Sequence, residues 1–233
     1  GNDLIEGLET VSSACDRYTT GTADAFAGIN GDFFNISAHK EFPIGAPRGG
    51  CASEGIIQRE PRSMEWAFAA IDDNNKPILD NMAFSGSVVS LKAPIASYTF
   101  NDVNLPRTDC YSCDMTFYNE FAGGYTRMDE NAEIGDKLKT EVFFKLADGQ
   151  AWKINSPITC IVTRIIKDTE GKNALKPGEA ALSGIDQAKG FLDKLTVGQK
   201  LKINMTIKTA GNETPAIREM IGGNSLLMKD GVI

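Results

Sequence analysis

Apolar positions follow two spacings along the chain, one typical of helices and one typical of strands. Residues 2–18 and 183–195 place apolar side chains three and four positions apart, which predicts two amphipathic helices. Asn2 or Asp3 is the expected cap of the first helix and Ser183 that of the second, because such side chains can accept a hydrogen bond from a backbone amide of the first turn.

Short β-type runs separated by turn residues fill most of the remaining chain. The predicted strands are residues 55–60, 64–72, 87–100, 114–119, 138–147, 151–156, 159–168 and 199–208. Together with the helices, they predict an α+β fold, a strand-rich mixed α/β domain. We expect one domain over residues 1–233, in which a β-rich middle section at 86–215 is inserted between a first part of the core at 1–85 and a return to it at 216–233.

The charge distribution narrows the possible partners. The net charge is −7, and no cluster of lysines and arginines with interleaved aromatic residues occurs, so no nucleic-acid partner is expected. No apolar run approaches the roughly 18 residues of a membrane helix, so no membrane span is predicted. Sequons at Asn35, Asn204 and Asn212 are compatible with secretion.

Cysteine and histidine positions give little support for a metal site or a nucleophile. Cys110 and Cys113 have the spacing of a zinc ribbon or a redox pair, but the sequence has no second such pair and His39 is its one histidine. A disulfide or buried thiols are therefore favoured over zinc. His39 follows the Asn-Gly-Asp segment closely, yet neither a serine nor a cysteine lies in a nucleophile-elbow sequence.

The segment AGINGDFFN, residues 27–35, places a carboxylate next to a turn signal. Asn30-Gly31 between apolar runs is typical of a turn, and Asn30 and Asp32 can bond to local backbone amides in such a turn. The same residues can instead present an amide and a carboxylate to a ligand. Gly222-Gly223 has the same two interpretations, a bulge or a backbone approached closely by a ligand.

The order of these segments resembles the phosphodiester glycosidase family. An apolar strand leading into Asn-Gly-Asp-Phe-Phe at 30–34 is similar to the family's first landmark, and the loop PIGAPRGG follows it. A Gly-Gly-x-x-Leu-type segment is the second landmark. It is matched by Gly222, Gly223, Leu226, Leu227 and Gly231.

The resemblance implies a hydrolase that cleaves the glycosidic bond of a sugar-1-phosphodiester, such as a GlcNAc-1-phospho-sugar. The leaving group would be a phosphomonoester, whose second pKa is about 6, so a strong general acid is less necessary than in other glycosidases. The implied substrate is a small carbohydrate or glycan phosphodiester, with no cofactor and no metal. The implied location is secreted, periplasmic or at the cell surface, as in many bacterial members of the family.

The resemblance also assigns roles to residues. Asp32 is the first candidate for a catalytic carboxylate, and Glu141, which matches a family glutamate, is the second, although it can also be a charged residue on a strand edge. The expected substrate-binding residues are Asn30, Gly31, Phe33, Arg48, Gly222, Gly223 and Asn224. The family's later Arg-Thr and Asp-Gly-Gly-Gly-Ser segments do not occur before Ile233, so we expect a truncated or diverged domain. A non-catalytic carbohydrate-binding or cell-surface module is the alternative.

Overall fold

Twelve β-strands among the described residues form one sheet in the computed structural model. The structure describes residues 9–21, 24–25, 28, 31–37, 44–61, 64, 66–106, 114–129 and 137–224. The strands are β1 (Cys51–Ser53), β2 (Ile56–Arg59), β3 (Ala67–Asp72), β4 (Pro77–Ser90), β5 (Ser97–Phe100), β6 (Asp102–Val103), β7 (Met115–Tyr118), β8 (Lys139–Leu146), β9 (Ile158–Thr169), β10 (Glu179–Gly184), β11 (Lys200–Thr209) and β12 (Ile217–Gly222). The helices of the described residues are α1 (Val11–Tyr18), α2 (Asp186–Leu192) and a 3-10 turn (Glu120–Ala122).

The long strand β4 joins two halves of this sheet. The strand order is β2-β1-β12-β3-β4-β11-β9-β8-β10-β7-β6, with β5 paired to β4 beside this path. Residues 77–81 of β4 pair with β3, and residues 82–90 pair with β11. All strand pairs are antiparallel except β6 with β7. The strands β2, β1, β12, β3 and the start of β4 are called the five-strand half below.

Side-chain hydrogen bonds bring the two ends of the sheet together. The backbone amide of Val103 in β6 donates to Glu60 Oε2, just after β2, at 3.0 Å. Asn104 Nδ2 donates to the Gln58 carbonyl of β2, also at 3.0 Å. Glu60 and Asn104 are both buried. These contacts, called the seam below, connect strands that share no backbone pairing, so the sheet curls back on itself.

One face of the curled sheet carries the main apolar core. Alternate residues of β8, Val142 and Phe144, are buried on this face because successive side chains of a strand point to opposite sides. The Phe117 ring stacks on Phe100 with centroids 5.6 Å apart and tilts edge-on toward Trp152 at 5.5 Å. Full burial of each such side chain contributes about 1.5–3 kcal/mol, so this aromatic cluster stabilises the contact between distant strands.

The prediction of an α+β, mixed α/β fold is wrong, because strands dominate the described residues. α1 has eight residues and α2 has seven, against twelve strands in the sheet. The helical spacing at 2–18 corresponds to a helix over Val11–Tyr18. Its N-cap is Thr10, whose side chain accepts a hydrogen bond from Ser13 N at 3.2 Å. Asn2 and Asp3, the predicted caps, lie outside the described residues. Ser183 caps no helix, since it belongs to β10.

Most predicted strands are confirmed, and the exceptions have a physical cause. The run at 151–156 is not a strand; Ile154 is buried and Trp152 packs on the core, so its alternation reflects loop side chains that reach inward. The interval 87–100 is divided between β4 and β5 by a turn. β10 was not predicted, because its sequence EAALSG is rich in small residues rather than β-branched ones.

Candidate functional site

Three segments that are distant in sequence meet at Asp32. The Asp32 backbone amide donates to the Gly222 carbonyl at the end of β12, at 3.1 Å. Its carboxylate accepts the Gly49 amide at Oδ2 (2.7 Å) and the Phe33 amide at Oδ1 (2.6 Å). The group formed by Gly31, Asp32, Phe33, Gly49 and Gly222 is called the Asp32 site below.

Glycine is required at several of these positions by the close approach of the chain segments. A Cβ atom on Gly49 would lie 2.9 Å from Asp32 Oδ2, and one on Gly222 would lie 3.0 Å from the same oxygen. A Cβ on Gly31 would lie 2.1 Å from Ile221 Cδ1. Asp32 itself has a φ of 42°, in the left-handed region that aspartate tolerates better than most residues. The backbone therefore fixes the carboxylate from three sides.

The surroundings of the Asp32 carboxyl group oppose its ionisation overall. Burial is the largest influence and raises the pKa of Asp32 above its ordinary 3.8. Hydrogen bonds from two backbone amides and the charges of Arg59 and Arg48 act in the opposite direction without cancelling it. Arg59 is buried and lies 3.5 Å from Glu60, whereas Arg48 is exposed. Arg48 is thus the cation of this pair that a bound anion can reach from solvent.

The remaining predicted binding residues of the second landmark, Gly223 and Asn224, lie beside Ala67 at the start of β3. Gly223 N donates to the Ala67 carbonyl at 2.8 Å, and Ala67 N donates to the Asn224 carbonyl at 3.2 Å. Residues 222–224 thus extend the pairing of β12 with β3 by one step. Asn30, the predicted amide ligand, lies outside the described residues, and so does His39, for which the sequence gave little support as a site residue.

Glu141, the second predicted carboxylate, lies in a different environment. It is fully buried on β8, where Oε2 accepts from Thr126 Oγ1 at 2.9 Å and from Asn173 Nδ2 at 2.8 Å. Oε1 has no hydrogen-bond partner among the residues that the structure describes. Within the described part of the chain, Thr126 and Asn173 do not bond to Asp32, and Phe33 and Gly49 do not bond to Glu141. The strand-edge interpretation of Glu141 does not describe this position, because β8 is paired on both sides, with β9 and β10.

A groove begins beside the Asp32 site and crosses the outer face of the five-strand half. Its volume is about 930 Å³. It is lined by Tyr18, Cys51, Ala52, Ser53, Glu54, Ile56, Gln58, Ala69, Ala70, Ile71, Pro77, Ile78, Leu79, Glu120, Phe121, Glu219, Met220 and Ile221. Ile221 is the lining residue next to Gly31. Cys51 also lines the groove, and burial together with the nearby Asp32 charge raises the pKa of its thiol to about 11. This feature is called the outer groove below.

Sequence reasoning missed Gly49 of the Asp32 site and the nearby cation Arg59. Gly49 belongs to the loop PIGAPRGG, which the pattern identified as glycine-rich without indicating that its amide would bind a carboxylate 17 positions earlier. Arg59 ends a predicted strand, and nothing in its local sequence points to Asp32. The sequence signal that could have indicated the contact was a glycine-rich loop following an aspartate. Glycine and aspartate are both common in turns, so this signal alone did not indicate a contact between them.

The cysteines and carboxylates do not assemble a metal centre in the described part of the chain. No group of three or more His, Cys, Asp or Glu side chains is arranged there to hold an ion. Cys15, Cys51 and Cys160 are free thiols, and Cys110 and Cys113 lie outside the described residues. No helix among the described residues is long and apolar enough to cross a membrane.

Comparisons with known proteins define the fold but not the activity. No family model matches the chain, and no curated protein matches it. A Burkholderia pseudomallei K96243 protein described as a "Putative exported protein" is similar in structure, with a TM-score of 0.68 and 20% identity over 97% of this chain and 45% of its own. A hypothetical protein from Synechocystis has a TM-score of 0.57 and 15% identity over 88% of this chain and 32% of its own. The chain thus spans less than half the length of either neighbour.

Proposed function

We propose that the protein is a hydrolase of sugar-1-phosphodiesters and that the Asp32 site is its reaction centre. The observation that supports this proposal is the Asp32 carboxyl group, held by two backbone amides, half-buried, and near the exposed Arg48. The resemblance of the Asn-Gly-Asp-Phe-Phe and Gly-Gly segments to the phosphodiester glycosidase family gives the reaction class.

In the proposed reaction, water attacks the anomeric carbon and the bond from that carbon to the phosphodiester oxygen breaks. Asp32 accepts a proton from the attacking water, and the phosphomonoester leaves with the bonding electron pair. Arg48 contacts the phosphate, since a guanidinium can donate two hydrogen bonds to phosphate oxygens. A general base typically contributes a factor of about 100 to 10,000 to such a rate.

A non-catalytic carbohydrate-binding module is the second candidate, and a specific observation favours it. Both oxygens of Asp32 already accept backbone amides, and among the described residues Glu141 shares no hydrogen-bond partner with Asp32. Glycosidases usually place two carboxylates on either side of the scissile bond. A site with one suitable carboxylate can bind a sugar phosphodiester without cleaving it.

We also propose that the protein acts outside the cytoplasm, as a secreted, periplasmic or cell-surface protein. The support is the description of the Burkholderia neighbour as an exported protein, which at 20% identity carries over only as a proposal.

The decisive experiment incubates the protein with GlcNAc-1-phospho-mannose and measures released GlcNAc, with binding of the same compound measured by calorimetry. We expect release by the wild type, a loss of at least about 100-fold in kcat for Asp32→Asn, and a raised KM for Arg48→Ala. Asp148→Asn, in an exposed turn, is the matched control and should retain full activity. Binding without release would reject hydrolysis in favour of the binding module, and the absence of both would reject both candidates.

A further inference from the structure

The outer groove combines an apolar floor with acidic charges. Several of its apolar side chains are substantially exposed, including Leu79 (63%), Ile221 (41%) and Ile71 (38%). Among the described residues that line it, the charged ones are three glutamates, Glu54, Glu120 and Glu219, and none is a lysine or arginine. A groove of this composition attracts a ligand that is both apolar and cationic.

The dimensions of the groove fit a short piece of polypeptide. Strands β2, β1, β12, β3 and β4 are neighbours, so four strand spacings give a width of about 19 Å across the five-strand half. An extended peptide of about six residues, or a helix of about 13, has that length. The volume of about 930 Å³ lies near the upper end of small-molecule pockets, which is more than one sugar unit requires.

We propose that the outer groove binds a polypeptide segment whose apolar side chains are flanked by lysine or arginine. The apolar side chains would cover the Leu79 and Ile71 surface, and the cations would face Glu54 and Glu120, both exposed. Glu219 contributes less, because it already accepts the Glu54 amide at 3.1 Å and faces Arg218 at 3.9 Å. This proposal does not depend on hydrolysis at the Asp32 site.

Other occupants of the groove conflict with its charge or chemistry. An anionic membrane surface would be repelled by three glutamates. A second copy of this chain has a net charge of −7 and no cluster of basic residues to place against them. A glycan would meet mainly aliphatic side chains, which cannot accept or donate the hydrogen bonds of its hydroxyl groups.

The test titrates the whole protein into a fluorescein-labelled 12-residue peptide of alternating leucine and lysine and measures fluorescence anisotropy. We expect saturable binding that weakens as salt rises from about 0.05 to 0.5 M, because salt screens exposed charges. The same peptide with glutamate in place of lysine should not bind.

Matched variants assign the binding to the groove. Glu54→Gln with Glu120→Gln should weaken binding about fivefold, whereas Glu170→Gln with Asp148→Asn removes two exposed charges elsewhere and should not. Leu79→Ser should weaken binding about tenfold. Val197→Ser is its control, since Val197 is also 63% exposed and lies outside the groove.

The outcomes separate the proposal from its competitors. Selective loss of lysine-peptide binding in the groove variants, with circular dichroism and melting unchanged, supports it. Equal loss in groove and control variants would mean non-specific attraction to an acidic protein and would overturn it. So would equal binding of the glutamate peptide, groove-dependent binding to vesicles containing phosphatidylglycerol, or a concentration-dependent dimer that Leu79→Ser abolishes.

Discussion

Gly86→Ala should destabilise the protein strongly, because the new methyl group would enter an aromatic ring. A Cβ on Gly86 would lie 2.2 Å from Phe100 Cε2 and 2.4 Å from Cδ2 and Cζ of the same ring. Carbon atoms in contact are ordinarily about 3.5–4.0 Å apart, so the ring would have to move by more than about 1 Å. Phe100 is 2% exposed, and its ring is stacked on Phe117, which limits that movement.

The size of the effect follows from these contacts. Overpacking of this kind costs about 3 kcal/mol, and the reduced freedom of the unfolded chain in a Gly→Ala variant offsets about 0.5–1 kcal/mol. The net loss of about 2–2.5 kcal/mol in a chain of this length corresponds to a Tm lower by about 4–10 °C.

The matched control is the same substitution where space is open. Gly190 lies in α2, and apart from its chain neighbours and the backbone of its own helix, no described residue has an atom within 4 Å of the position of its missing Cβ. Gly190→Ala should raise stability by about 0.5–1 kcal/mol, because alanine favours a helix interior. Both variants are measured by differential scanning calorimetry. A Gly86→Ala Tm at or above that of the wild type, or a cost undiminished in a Phe100→Leu background, would refute the steric argument.

Three further predictions concern charged groups. Burial raises the pKa of Asp32 above 3.8, so the folded state keeps this proton to a higher pH than the unfolded state. The free energy of unfolding of the wild type relative to Asp32→Asn, measured by urea titration, should therefore fall as pH rises from about 4. Burial alone would raise the pKa of Glu179, but hydrogen bonds from a backbone amide and Arg164 together lower it below 4.5. The wild type should therefore have a larger free energy of unfolding than Glu179→Gln at neutral pH, and this difference should disappear as pH falls below about 4.5. Lys139→Met should cost about 3–5 kcal/mol in the same assay at neutral pH, because it removes the buried ammonium group that lies 3.0 Å from Asp129; a loss below 1 kcal/mol would contradict this.

The strands that were predicted correctly from the sequence are those in which the alternation of apolar and polar residues matches the alternation of buried and exposed side chains. β11 alternates buried and more exposed residues along its whole length, and β9 does so over its first half, so period and propensity gave the same answer. β10 is buried at all six positions and contains small residues, so it has neither alternation nor strong β propensity. Its strand character depends on β7 and β8, which pair with it on either side and cannot be found from local sequence.

Proximity at the candidate site was partly predictable. The family resemblance placed the Asp32 and Gly222 segments in one site, and the 3.1 Å hydrogen bond between their backbones agrees with that grouping. Arg59 could not be found in this way, because its position depends on how β2 pairs with β1. The environment of Glu141 depends on two covering loops, which supply Thr126 and Asn173 from positions 15 residues before and 32 residues after it.

The seam is the part of the curled sheet where we expect local opening to cost the least free energy. Asn119 Nδ2 adds a third side-chain bond, to the Ile57 carbonyl at 2.8 Å, so the seam contacts between described residues include side-chain carboxamide and carboxylate groups rather than a backbone ladder. By contrast, nine successive residue pairs join β4 to β11. Partial opening therefore costs least at the seam, and native-state hydrogen exchange should release the Val103 amide in a smaller cooperative unit than the amides of β11. The enclosed core can admit solvent there while the rest of the sheet stays paired.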